Sequence, residues 1–449
     1  MRILIVSNGY PPTAFGGVEV SSLELAREFK RRGHTVAVIC RESDKQRPDY
    51  EVIRDVHEEI PVMRVVNDYK KLTSFRQLYV DAHIDAIFAN LLDEFQPDVV
   101  HFNHFLALSA TLPQETARRG IATVATLHDY WILCERVNLI NSQHAICPGP
   151  MQGGDCFRCL FVNPGEPGRI MRLLKKILPF HVRVWLRKLT SRPGNANLVF
   201  SAVPADLPLR YETFRTAMEQ VQEITVPSQF VRSMLVNNGY SGERIKVVPL
   251  GIGLTQQARH APTTGLVRFG FVGSIMPLKG LESLVRAFRA VSGENIRLDI
   301  YGREDIKPVF AGQVRALAAG DPRITFHGSF APDQRNEVYT GMDVFVMPSV
   351  WHETFSFVAR EALLAGVPVI AARVGALPEV VSEDVNGFLY PPGDEPALSK
   401  IIEQIALDPE QLNHLQTPGP LEILSISESV DRLERCYMEN YQLIRNLSE

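Results

Sequence analysis

The sequence predicts an α/β protein built from two Rossmann-like, doubly wound domains that face each other across a cleft. Three observations carry this expectation. Short β-branched apolar runs alternate with helical patterns almost from end to end, as βαβ units around a parallel sheet require. The chain has 449 residues, and domains usually hold about 100 to 200 residues each. The alternation lapses in the polar, Pro-containing stretch from Thr255 to Gly265, which reads as a linker.

The first set of strands is read at Arg2 to Ser7, Thr35 to Cys40, Val99 to Phe102, Ala122 to Leu127, Glu223 to Val226 and Lys246 to Leu250. Its first crossover helix, Val18 to Arg32, carries Leu23, Leu25, Ala26 and Phe29 before Gly33 stops it. Residues 131–222 are far longer than an ordinary crossover and are expected to hold an inserted, partly helical excursion. The second set lies at Val267 to Val272, Arg297 to Tyr301, Ile324 to His327, Val344 to Met347 and Val367 to Ala371. The organisation expected is a first domain over 1–254, a second over 255–415, and a helical tail over 416–449 that packs back on the first. In open α/β sheets, ligands sit beyond the carboxyl ends of the strands.

Composition narrows the function. Hydrophobic residues make up 45% of the chain, enough for sizeable cores and too many for global disorder. The 47 Lys and Arg against 51 Asp and Glu exclude the overall basic excess of a dedicated nucleic-acid binder. No apolar run is long enough to cross a bilayer, and the first residues do not read as a signal peptide, so a cytoplasmic location is expected. The first turn, Ser7 to Gly17, lacks the G-x-G-x-x-G of a dinucleotide site, which argues against a nicotinamide dehydrogenase.

Three patterns carry chemistry. Glu353 and Glu361 stand eight positions apart in HETFSFVAREALLAGVPVIA, just after the strand that ends at Met347. A helix starting near Ser356 points its first amides at a ligand and can seat a phosphate. Glu353 then precedes the helix, and Glu361 lies up to about 12 Å further along it. Secondly, Cys134, Cys147, Cys156 and Cys159 have the spacing C-x12-C-x8-C-x2-C, whose last pair is the tight half of a structural zinc site. Independent free thiols are the competing reading, and a reducing cytoplasm disfavours disulfides. Thirdly, Arg169 to Arg192 carries eight basic residues and no acid, interleaved with Leu, Ile, Val and Trp185. That run fits an amphipathic segment on an anionic membrane, with a solvated helix flank as the alternative.

The Glu353–Glu361 stretch resembles the EX7E motif of the retaining glycosyltransferases of family 4, which have the GT-B fold. The likeness extends over nearly the whole chain: NGYPPTAFGGVEVSSLELAREF, TLHDYW, ITVPSQFV, KVVPLGI, FVGSIMPLKGLESLVRAF and DVFVMPSVWHETFSFVAREALLAGVPVIA occur in the family's order. The resemblance implies that Gly16 and Gly17 let backbone approach the donor diphosphate, that His128 points at the donor sugar, and that Lys279 neutralises the departing diphosphate. It further implies Glu353 on the sugar hydroxyls, Glu361 on the ribose, and the amides of Thr354, Phe355 and Ser356 on the phosphate. Where the family often has an Arg, this sequence has Ser274, so Arg303 or Arg360 is a candidate substitute. The base is expected near Tyr301 to Arg303 and Phe326 to Gly328. No catalytic metal is called for.

The expected activity is therefore transfer of a sugar from a UDP- or GDP-sugar to an acceptor, with retention, in polysaccharide or glycolipid assembly. The acceptor is a sugar or a lipid-linked sugar, presented at the inner face of the plasma membrane if the basic run binds there. A nucleotide-sugar epimerase or phosphorylase of the same fold is the alternative enzyme. A non-catalytic nucleotide-sugar binder is the alternative from another class.

Overall fold

The computed structural model describes residues 1–162, 206–257 and 265–448. By its internal contacts the chain divides into two units. Unit 1 comprises Met1–Pro227, Arg232–Val248 and Val430–Glu449, and unit 2 comprises Ser228–Val231 and Pro249–Ser429.

Unit 1 is an eight-stranded sheet in the order β3-β4-β2-β1-β5-β6-β7-β8. The strands are β1 (Arg2–Ser7), β2 (Thr35–Glu42), β3 (Val52–His57), β4 (Ile60–Val66), β5 (Val99–Phe102), β6 (Ala122–Thr126), β7 (Glu223–Val226) and β8 (Ile245–Val247). All pairings are parallel except the β3–β4 hairpin at one edge. The central strand β1 is buried from Ile3 through Ser7, the near-continuous burial of a strand covered on both faces. Among the described residues the helices of this half are α1 (Gly17–Arg31), α2 (Ala82–Phe95), α3 (Leu112–Arg118) and α4 (Asp206–Glu219), with α5 (Gln229–Asn237) following β7. Helix α1 buries Leu23, Leu25, Ala26 and Phe29, and the chain leaves it through Gly33 at φ +87°.

Unit 2 is a six-stranded parallel sheet in the order β11-β10-β9-β12-β13-β14. Its strands are β9 (Val267–Val272), β10 (Ile296–Tyr301), β11 (Ile324–Gly328), β12 (Val344–Met347), β13 (Val369–Ala372) and β14 (Gly387–Tyr390). Its helices are α6 (Leu281–Ala290), α7 (Pro308–Ala318), α8 (Arg335–Thr340), α9 (Phe357–Leu364) and α10 (Glu395–Leu407), before the tail helix α11 (Ile426–Ser448). One core joins Phe269, Phe271, Leu284, Phe288, Val344 and Val346. The strand order is that of a doubly wound sheet whose direction of winding reverses between β9 and β12.

Three strands go beyond the sequence expectation. Hairpin β3–β4 turns through Glu58 and Glu59, at φ +52° and +60°. Two positive φ values are what a tight hairpin requires, yet glycine or asparagine usually signals them. Strand β14 lies so close to β13 that a Cβ on Gly387 would fall 1.9 Å from the Val369 carbonyl oxygen. The division at Pro249 precedes the polar linker because Leu250 and Ile252 are buried with Phe355 and Leu364.

The tail from Val430 belongs to unit 1. Tyr437 stacks on Phe29 at 5.1 Å and hydrogen-bonds His101, whose other nitrogen meets Thr126 at 2.7 Å. Arg32 reaches Asp431 at 2.6 Å and Glu434 at 2.7 Å.

Candidate functional site

In unit 2 the loops after β9 and β12, the two strands flanking the reversal, bring Lys279 and Glu353 together. Lys279 Nζ, Ser349 Oγ and Trp351 Nε1 all donate to one carboxylate oxygen, Glu353 Oε1, at 2.7, 2.6 and 2.7 Å. Lys279 also lies 5.3 Å from the Trp351 ring centroid. Two glycines make this convergence sterically feasible. Gly280 stands at φ +69°, and a Cβ there would fall 1.8 Å from the Pro348 carbonyl oxygen. Gly375, at φ +61°, would place a Cβ 2.3 Å from the Glu353 amide nitrogen. Glu353 is buried, so a carboxylate held by three donors at one oxygen is rigid and keeps its second oxygen outside this set.

The helix after this loop opens at Ser356, which is left-handed at φ +61° and ψ +80° and makes no side-chain cap. Among the described residues its hydroxyl is buried without a partner. Thr354 and Phe355 therefore precede the helix, and the first-turn amides belong to Ser356 through Ala359. The helix begins where the sequence reading placed it, near Ser356, with Thr354 and Phe355 in the loop before it. Phe355 is buried beneath Arg360, whose guanidinium lies 3.8 Å from the ring centroid. Burial lowers the Arg360 pKa to about 9.

Glu361, on the body of α9, accepts from Tyr339 at 2.8 Å on Oε2 and pairs with Arg335 at 3.2 Å on Oε1. Burial raises its pKa, while Arg335 and Tyr339 act against that shift. Sequence reasoning missed Ser349, Trp351, Arg335 and Tyr339. The first two were accessible, lying four and two positions before Glu353; the others come from α8, whose approach to α9 is tertiary.

Neither proposed replacement for the cation absent at Ser274 touches the Lys279–Glu353 pair. Arg303 forks onto Asp305 at 3.0 and 2.6 Å, and Arg360 is held over Phe355. At the ends of β10 and β11, Tyr301 stacks on His327 at 4.4 Å with Phe330 edge-on at 6.0 Å. His327 is in turn anchored to Asp299 at 2.7 Å.

In unit 1, Gly16 caps α1 and Gly17 is its first residue, both exposed. The Glu19 carboxylate folds back over this start, 2.4 Å from where a Cβ on Gly16 would lie. His128, two residues past β6, is buried and meets Asn103 Oδ1 at 3.3 Å through Nε2. Asn103 donates its amide to Ser22 Oγ at 2.9 Å, so its oxygen is turned to His128 and selects the Nε2–H tautomer. Burial, then the neighbouring His104, lower the His128 pKa to about 4. Asp129 beside it is held below the usual carboxylate range: burial pushes it up, but His104 and the Trp131 amide outweigh that.

The four cysteines Cys134, Cys147, Cys156 and Cys159 are free thiols lining one cavity of about 280 Å³. The basic run from Arg169 to Arg192 lies outside the described residues. Among the described residues, no helix is long and apolar enough to cross a membrane.

Two family models match the chain: "Glycosyltransferase Family 4" over residues 15–149 and "Glycosyl transferases group 1" over residues 267–408. A D-inositol 3-phosphate glycosyltransferase of Xylanimonas cellulosilytica is 30% identical over 184 residues, 37% of this chain and 44% of that protein. An MMP alpha-(1->4)-mannosyltransferase of Mycolicibacterium hassiacum is 28% identical over 210 residues, 46% of this chain and 50% of that one. These alignments span about half or less of the relatives' own length. Among solved structures, sucrose-phosphate synthase from Thermosynechococcus elongatus superposes with a TM-score of 0.62 at 19% identity, covering 99% of this chain and 98% of that one. HepE of Anabaena, in complex with UDP and glucose, gives 0.57 at 16% identity over the full length of both chains. With two parallel-sheet α/β units and both family models matched in order, the chain belongs to the family 4, group 1 glycosyltransferases of the GT-B fold.

Proposed function

We propose that this protein moves a sugar from a nucleotide-sugar donor to an acceptor hydroxyl with retention of configuration. The observation that carries the reading is the convergence of Lys279, Ser349 and Trp351 on Glu353 Oε1, in the loop that leads into α9, whose start has no side-chain cap. In the proposed reaction the bond from the anomeric carbon to the diphosphate oxygen breaks, and negative charge develops on the leaving group. Lys279 and the first-turn amides of α9 face that charge without reorganising, which lowers the barrier. Glu353, locked through Oε1, offers Oε2 to the sugar hydroxyls. Glu361 keeps one lone pair free on each oxygen and accepts from the ribose. His128, following the resemblance, is assigned to the reacting centre as a neutral imidazole. The acceptor proton passes to the departing phosphate on the same face, which accounts for retention.

The HepE structure binds UDP and glucose, so UDP-sugars are the first donors to test, followed by GDP-sugars. Metal independence is part of the proposal and predicts turnover in excess chelator. The acceptor is proposed to be a lipid-linked sugar in polysaccharide or glycolipid assembly, met at an anionic membrane through residues 169–192. A nucleotide-sugar panel read by thermal shift, then by nucleotide release with and without acceptor extracts, tests the reading. Release that depends on acceptor, with the new linkage retaining the donor's anomeric form by NMR, is expected. Donor interconversion or phosphorolysis without an acceptor would replace transfer with an epimerase or phosphorylase, and binding with no turnover would leave a nucleotide-sugar binder.

A further inference from the structure

The start of the insertion folds as a compact loop that returns on itself. Cys134 closes a turn on Tyr130, its amide donating to the Tyr130 carbonyl at 2.7 Å. A short bridge between Ile140 and Ile146 then brings the chain back, and the Cys147 amide donates to the Leu139 carbonyl at 2.7 Å. After a glycine turn, Asp155 starts one helical turn, accepting from the amide of Cys159 through its carbonyl and from that of Arg158 through its carboxylate, both at 2.9 Å. That turn sets Cys156 and Cys159 three residues apart on one face. The result is that four cysteines from three separate turns border the same cavity.

Two details distinguish this arrangement from chance burial of thiols. The backbone amides of Arg136 and Leu139 face the Cys134 sulfur, and that of Gly149 faces Cys147. The cradle is also tight where the loop passes the second sulfur: a Cβ on Gly154 would lie 3.1 Å from Cys147 Sγ and 2.6 Å from the Gly149 carbonyl oxygen.

We propose that Cys134, Cys147, Cys156 and Cys159 together hold one structural zinc ion. Four sulfur ligands in a tetrahedron at about 2.3 Å are the closed coordination of a structural, not a catalytic, zinc. Among the described residues no three His, Cys, Asp or Glu side chains stand at ligating separation. Binding therefore requires the four thiols to close on the ion and lose their protons. The carboxylates of Glu135 and Asp155 border the same space, but soft thiolates outcompete them for zinc. Once formed, the site would staple residues 134–159 beside the strand end that carries His128. It does not depend on the reaction proposed above.

The test uses the full chain, purified under reducing conditions without a metal-chelate column. Elemental analysis should find about one zinc per chain, and Cys156→Ser with Cys159→Ser should lose it. Because that variant can fail through misfolding, a second measurement uses unmodified protein. Exchange of zinc for Co²⁺ should give the visible d–d bands and sulfur charge-transfer absorption of a tetrahedral thiolate site. Trace zinc only, with all four thiols reacting freely with a thiol reagent in the native protein, would overturn the proposal. So would recovery of disulfides, or of iron with inorganic sulfide.

Discussion

At the scale of single residues, two acids eight positions apart have opposite surroundings. Glu353 is held by a cation and two neutral donors on one oxygen, whereas Glu361 is buried with Arg335 and Tyr339 on separate oxygens. On the proposed reading the first serves the chemistry and the second donor binding, so the two should separate in kinetics. Glu353→Gln keeps the shape but loses the charge opposite Lys279, so turnover should fall by about 10²- to 10³-fold with donor affinity changed only a few-fold. Glu361→Ala removes charged hydrogen bonds and should weaken donor binding by about ten- to a hundredfold. Steady-state kinetics beside calorimetric donor binding check both. Unchanged turnover in Glu353→Gln would remove that residue from the reacting face. Asn103 shows the same logic in unit 1, where an amide pinned by Ser22 leaves His128 one tautomer.

At the scale of elements, the start of α9 is where backbone conformation and proposed ligand meet. Ser356 adopts the left-handed region without the side-chain cap that would offset it. That conformation costs a non-glycine residue about 1–2 kcal/mol. Ser356→Gly should therefore stabilise unit 2 by about 1 kcal/mol and, with the donor held by the first-turn amides as proposed, leave donor binding intact. Denaturant unfolding with donor titration measures both, and loss of donor binding in Ser356→Gly would show that the hydroxyl itself holds the ligand. Gly280→Ala should act oppositely. At φ +69°, with a Cβ 1.8 Å from the Pro348 carbonyl oxygen, it forces the Lys279 loop off β12 and should lower stability and turnover together. Thermal unfolding and initial rates report it, and a wild-type melting point would show that the loop yields without cost.

At the scale of the whole molecule, buried histidines couple folding to pH. Burial lowers His101 to about 3 and His128 to about 4, against about 6.5 in an unfolded chain. Between these values the unfolded chain binds protons that the folded one does not, so stability is lost as pH falls from about 6.5 toward 4. Each histidine contributes up to about 1.4 kcal/mol per pH unit in that window, where most carboxylates are still ionised. Urea midpoints should drop measurably between pH 7 and pH 5, and equal midpoints would contradict the neutral assignments. The charge of the chain, −4 overall, conceals the basic run at 169–192. If that run meets an anionic membrane, the chain should sediment with anionic vesicles at low salt and detach as salt shortens the ~8 Å Debye length of physiological buffer. Arg183, Arg187 and Lys188 changed to Glu should abolish sedimentation, and wild-type protein left in the supernatant at low salt would reduce the run to a solvated flank.

The sequence by itself determined the two doubly wound halves, because strands buried on both faces must read as apolar runs and their crossover helices as amphipathic ones. It also marked Lys279 in one motif, and Glu353 and Glu361 in another whose internal spacing survives folding unchanged. Hairpin β3–β4 escaped it because Glu58 and Glu59 take positive φ values that composition does not announce. Only the tertiary structure decided which donors meet each acid. Ser349 and Trp351 are local to Glu353, but Lys279 arrives from 74 residues away and Tyr339 reaches Glu361 from 22. It also decided that Arg303 and Arg360 are already engaged, by Asp305 and the Phe355 ring. Periodicity records which face of an element is buried; which side chains meet above the sheet depends on strand order and on close approaches such as Gly280 and Gly375, and these are properties of the packed chain.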